Sequence, residues 1–171
     1  MADNLRFFYN YKNRLMEDIL TNGRIVKLID PTVAEEDGAS LIYDCVFPYE
    51  YLPETAELGR TYVCVDVDIT KVPGKTYLSP VIYIWVFTHK SVLRLEEGGV
   101  RPDEIACEID NLLNGSRFYG LGELDLEQVK RFAPMSDYIG KMMIYRATDF
   151  NRRGPTGKPI PSNRMAENGD H

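Results

Sequence analysis

The chain has 171 residues, a net charge of −6, 44% hydrophobic and 27% charged residues. That balance excludes disorder of the whole chain, and the length suits one domain rather than two sizeable ones. No apolar run approaches the roughly 20 residues needed to cross a bilayer, and the start, Met1-Ala2-Asp3-Asn4-Leu5-Arg6, lacks the charged-then-apolar pattern of a secretory signal. An acidic protein repels the phosphate backbone, which argues against nucleic acid as the main partner. The odd set Cys45, Cys64 and Cys107 contains no C-x-x-C pair. It reads as reduced thiols in a cytoplasmic setting rather than as a zinc site or a disulfide frame.

In chain order, Asn4 to Leu20 predicts a helix, with Leu5, Phe8, Leu15 and Ile19 near one face, Lys12 as a polar interruption, and Asn22-Gly23 as its stop. A short strand is expected over Arg24 to Leu28, ending at Asp30-Pro31, then a polar loop through Ala34 to Gly38 and a second strand over Leu41 to Val46. The run Phe47-Pro48-Tyr49-Glu50-Tyr51-Leu52-Pro53 is irregular, because its prolines lack donors and restrict their neighbours. Val63, Val65, Val67 and Ile69 alternate with Tyr62, Cys64, Asp66 and Asp68, the pattern of a strand with one buried face and one polar or wet face. After a Pro73-Gly74 turn, Val81 to Phe87 is apolar on both faces, as in a central strand covered on both sides or placed against partner subunits. These two strands form an antiparallel pair.

Pro102 suits the first turn of a helix, Asp103 and Glu104 suit its positive end, and Ile105, Ile109 and Leu112 recur at helical spacing until Asn114-Gly115 stops it. Strands over Glu123 to Phe132 and Lys141 to Phe150 make a hairpin through Ala133 to Asp137. Residues 151–171 are rich in Pro, Gly and basic groups at first and polar afterwards. The expected organisation is a single α+β domain over 1–150, a mostly antiparallel sheet with two main helices packed on one face, followed by an extended arm over 151–171.

Each candidate for chemistry has a plainer competitor. Asp66 and Asp68 project on one strand face, as a divalent metal site requires, and Glu127 with Lys130 could complete a small metal-dependent nucleic-acid-processing enzyme. The competitor is a solvated strand face with no basic residue before Lys71. His89 could pair with Ser91 or Cys64 in nucleophilic catalysis, but spacing supplies no third orienting group, so a strand-end histidine is preferred. The glycines of 115–122 follow a helix, the wrong order for a phosphate cradle. The eleven tyrosines and the segment 47–53 suit a ligand groove or a protein interface, with Tyr49 and Tyr51 as contact candidates. Arg152, Arg153, Lys158 and Arg164 could touch nucleic acid or, more in keeping with the acidic remainder, an acidic neighbour in an assembly. No catalytic constellation, metal or cofactor site survives, and the chain is expected not to be an enzyme.

The order of an N-terminal helix, a short Arg24-Ile25 strand, the Val63 to Asp68 strand, an apolar strand ending in Thr88-His89, the helix Asp103 to Gly115 and a last hairpin resembles the tail-terminator and neck proteins of long-tailed bacteriophages, over about residues 1 to 150. The resemblance implies a structural virion protein of the tail or neck, assembled in the host cytoplasm. It implies a homo-oligomeric ring, usually a hexamer, that caps the tail tube and joins it to the capsid-side connector or stopper protein. DNA is then a partner only in transit through the channel, and no membrane is involved. Carried onto this chain, Asp66 and Asp68 would line an acidic lumen, while the loop over 31–60 and the arm would make the contacts between proteins.

Overall fold

The computed structural model describes residues 5–151. Helix α1 (Phe7–Leu20) and helix α2 (Gly23–Ile29) come first, then a 3₁₀ segment (Glu35–Leu41) and a two-residue strand β1 (Val46–Phe47). The long strands β2 (Thr61–Lys71) and β3 (Tyr77–His89), helix α3 (Arg101–Leu113), and strands β4 (Asp125–Phe132), β5 (Tyr138–Arg146) and β6 (Asp149–Phe150) follow. The sheet runs β1-β2-β3-β5-β4, with β6 paired to the start of β3. Every pairing is antiparallel except β1 with β2. This is the expected α+β class, and the expected antiparallel pair is β2 with β3.

Five expectations fail locally. Arg24 to Leu28 is helical, not a strand. Its polar positions, Arg24 and Lys27, are three apart, while Ile25, Val26, Leu28 and Ile29 are buried, which is helical spacing. Asn22 does not end a helix by way of Gly23. Its side chain accepts the Ile25 N–H at 3.1 Å and so begins α2, satisfying a donor that the first turn leaves without a partner. The expected strand over Leu41 to Val46 is mostly turn, and only Val46 and Phe47 reach the sheet. The last expected strand is broken: β5 ends at Arg146 and pairing resumes with β3 at Asp149. The face of α1 is also shifted, with Phe7 and Tyr11 buried and Leu5 exposed.

The two sides of the sheet are built from different side chains. Val63, Val65, Val67, Ile82, Ile84, Val86, Met143 and Tyr145 share one core cluster with the buried residues of α1, α2 and α3. The alternate residues Tyr62, Cys64, Trp85 and Phe87 join Phe47 and Tyr138 in a second, largely aromatic cluster that contains no helical residue. Strand alternation separates the two clusters. Pro80, which has no N–H to give the ladder, lies opposite Ile69, where the β2–β3 register shifts.

Candidate functional site: an aromatic, acidic surface beside the sheet

The segment over 42–58 forms this surface. Phe47 is buried against Tyr62, with ring centroids 6.4 Å apart, and Tyr51 stacks on Phe47 at 3.9 Å and 10°. Tyr49 follows 5.7 Å from Phe47, and Tyr43 lies 6.4 Å from Tyr49. The backbone is tied down at both ends. Arg60 donates to the Asp44 carbonyl at 3.0 Å and to its carboxylate at 2.5 Å, with its guanidinium 5.8 Å from the centre of the Tyr62 ring. The buried Tyr138 hydroxyl accepts the Glu57 N–H at 3.0 Å.

Between and beside these anchors, apolar groups face solvent. Tyr43 is 64% exposed, Leu52 50% and Leu58 79%. Tyr43 also holds φ at 58°, a conformation uncommon outside glycine and concentrated at functional sites. Its N–H donates to the Val46 carbonyl at 2.9 Å, which holds the bend. The segment carries Asp44, Glu50, Glu54 and Glu57 and no lysine or arginine. An aromatic surface with acidic charge and a fixed backbone is suited to binding a protein segment.

Tyr49 and Tyr51, singled out from sequence, both belong to this surface. Tyr49 is exposed and Tyr51 half-buried. Sequence reasoning passed over Tyr43. The strained turn that presents it depends on the path from the 3₁₀ segment to β1, which no local pattern records. Arg152, Arg153, Lys158 and Arg164 lie outside the described residues.

The two aspartates occupy the same side of the sheet as the aromatic cluster but differ from one another. Asp68 is exposed. Asp66 bends over the edge of β2: its carboxylate accepts the Val67 N–H at 2.8 Å and meets the Lys12 ammonium of α1 at 2.5 Å. Where β1 stops, this closes part of a strand edge that would otherwise offer unpaired backbone groups. Glu127 and Lys130 stand on β4, three strand spacings or roughly 14 Å from β2. Glu127 is held by Arg146, whose guanidinium also donates to Thr70 Oγ1 at 2.8 Å and Ser79 Oγ at 2.9 Å, and that pairing lowers the Glu127 pKa. The four groups are therefore not brought together, and among the described residues no group of three or more His, Cys, Asp or Glu side chains could hold a metal ion.

His89 begins a 3₁₀ turn. Its Nδ1 accepts the Ser91 N–H at 3.1 Å and lies 2.8 Å from Ser91 Oγ, which itself accepts the Gly59 N–H at 3.0 Å. The pair knits the end of β3 to the segment before Arg60. Burial pushes the Cys45 and Cys64 thiols up to about 12, away from nucleophilic use at neutral pH. Cys107 is exposed beside an apolar groove of about 310 Å³ between α3 and β4.

The family model YomW matches residues 7–147, nearly all of the helices and sheet described above. No curated protein sequence is significantly similar to the chain. A chain from the virion of a native gene transfer agent (GTA) particle is 22% identical, with 63% of this chain and 79% of that one covered and a TM-score of 0.42.

Proposed function

From the premise that the chain belongs to the YomW family, we propose that it is a structural protein of a phage-type virion that works by contact with other proteins. The observation that carries this reading is the surface over 42–58, where Tyr43, Tyr49, Leu52 and Leu58 are exposed on a backbone anchored by Arg60 and Tyr138. Exposed apolar groups cost solubility in a lone protein and are kept where a partner covers them.

Within that role, the order of the first helix, the β2–β3 pair, α3 and the last hairpin, though not the Arg24-Ile25 strand, supports a ring-forming tail terminator or neck subunit. In that assembly the tail tube protein lies on one side and the capsid-side connector on the other. Asp68, exposed and in none of the ion pairs among the described residues, is suited to an acidic channel wall past which DNA slides. Asp66 contributes less to such a wall, because Lys12 offsets its charge.

Gold-labelled antibody against the protein, applied to purified particles, tests the assignment. Label at the junction of head and tail, with loss of that junction when the gene is deleted, is the expected result. Particles that contain no trace of the protein by mass spectrometry would contradict the virion role. Label elsewhere on the particle would contradict the neck position alone.

A further inference from the structure

We propose that the aromatic surface over 42–58 receives the proline-rich basic arm of a second copy of this chain, linking copies head to tail. Two features of the molecule select this occupant. The first is charge. Residues 42–58 carry Asp44, Glu50, Glu54 and Glu57 with no base, whereas residues 151–164 carry Arg152, Arg153, Lys158 and Arg164 with no acid. The second is the chemistry of the arm. Its Pro155, Pro159 and Pro161 favour the extended left-handed form that needs no hydrogen bonds of its own. Proline segments of that kind dock between aromatic rings, and neighbouring basic residues pair with acids at the rim. Tyr43, Phe47, Tyr49 and Tyr51 supply rings between 3.9 and 6.5 Å apart.

Reach favours a neighbour over the same copy. Asn151 is fixed at the β2–β3 turn, where its N–H donates to the Thr76 carbonyl at 2.8 Å. Phe47 sits beside Cys64, seven residues before Lys71 at the near end of that turn. Seven strand residues cover about 23 Å. The eight steps from Asn151 to Pro159 would cover about 25 Å in that left-handed form. Docking on its own surface would therefore use nearly all of that length in a straight line, whereas a copy placed end to end requires no such stretch. Joining arm to surface is a heterologous contact, which closes into a ring when the rotation between copies permits. The inference stands apart from the virion assignment, since it concerns only contacts between copies.

The test uses full-length chains. One variant loses the surface (Tyr43→Ser with Tyr49→Ser) and a second loses the arm charge (Arg152→Glu, Arg153→Glu and Lys158→Glu). By sedimentation velocity, wild type is expected to associate with rising concentration and each variant alone to stay monomeric. An equimolar mixture is expected to recover 1:1 dimers, because it contains one intact surface and one intact arm. That dimer should weaken at least several-fold when salt rises from about 0.05 to 0.5 M, as charge pairing is screened. Failure of the mixture to dimerise, when both variants melt at the wild-type temperature, would overturn the inference. So would a monomeric wild type in which the arm cross-links to its own surface. If the tyrosine variant melts early, Glu50→Lys with Glu54→Lys replaces it, under the same two outcomes.

Discussion

The two faces of the sheet share their strands and differ in almost everything else. On one face Val63, Val65, Ile82, Ile84 and Val86 meet three helices, and each is fully buried. On the other, Tyr62 and Cys64 are covered by Phe47 and Tyr51 of an irregular segment whose outer side chains remain exposed, while Phe87 packs on Tyr138 and Phe132 and Trp85 stacks on Tyr83. The first arrangement spends its side chains on stability. The second uses part of its apolar surface to hold the sheet and leaves part for a partner. The same alternation along β2 and β3 thus separates a folding face from a contact face.

Substitutions can break this contrast, and the largest effect lies where the second face has no room. A side chain at Gly140 would place its Cβ 1.9 Å from the Val86 carbonyl oxygen and 2.7 Å from the Phe87 Cα, both backbone. Gly140→Val is expected to lose more than about 4 kcal/mol or fail to fold, by urea denaturation or yield of soluble protein. A soluble, wild-type-stable variant would show that β5 lies further from β3 than described. Next comes a matched pair. Ile84→Ala, on the helix-covered face, should lose about 2–5 kcal/mol. Tyr49→Ala should change stability by about 0.5 kcal/mol or less, yet reduce self-association. Equal stability losses would erase the distinction between the faces.

Alkaline pH sharpens the comparison, since both clusters bury groups that resist ionisation. Burial holds Cys64 of the aromatic face and Cys45 of the helix-covered core at about 12, and it also raises the Tyr62, Tyr119 and Tyr145 phenols. In the unfolded chain the thiols ionise near 9. Below that pH both states keep the protons and stability is flat in this respect. Above it the unfolded state binds fewer protons, so stability falls from about pH 9 up through the folded values. Denaturant midpoints between pH 7 and 11 check the sign. A disulfide reagent at pH 8 should react rapidly with Cys107 alone until denaturant is added. The smallest effects belong to the aspartates. Asp66→Ala, which loses the Lys12 pair and the Val67 cap, should cost about 1 kcal/mol or less. Asp68→Ala should cost nothing measurable by the same melts, and a larger loss at Asp68 would mean that it has a structural partner.

The parts legible in the sequence were those fixed by local rules. Alternation marked β2, an unbroken run of β-branched and aromatic residues marked β3, and Pro102 with Ile105 and Ile109 marked α3. Prolines marked 47–53 as irregular, and its tyrosines marked a contact candidate. What escaped depends on distant partners. β-branched residues in Gly23–Ile29 suggested a strand, while burial against α1 and α3 favours a helix, with Arg24 paired to Glu104 and Glu108 across to α3. The strand face bearing Tyr62 and Cys64 read as wet because the chain that covers it begins well before them in sequence. Asp66 read as one of a matched pair with Asp68. Its turn over the strand edge requires Lys12, which lies on a different element.

The most direct measurement is hydroxyl-radical footprinting of Tyr43, Tyr49 and Leu58 in the isolated protein and in assembled particles, with Tyr9 of α1 and Phe118 of the loop after α3, both exposed, as the comparison. The account predicts strong protection of the first three on assembly. Unchanged reactivity at Tyr43, Tyr49 and Leu58, with protection confined to Tyr9 and Phe118, would contradict it.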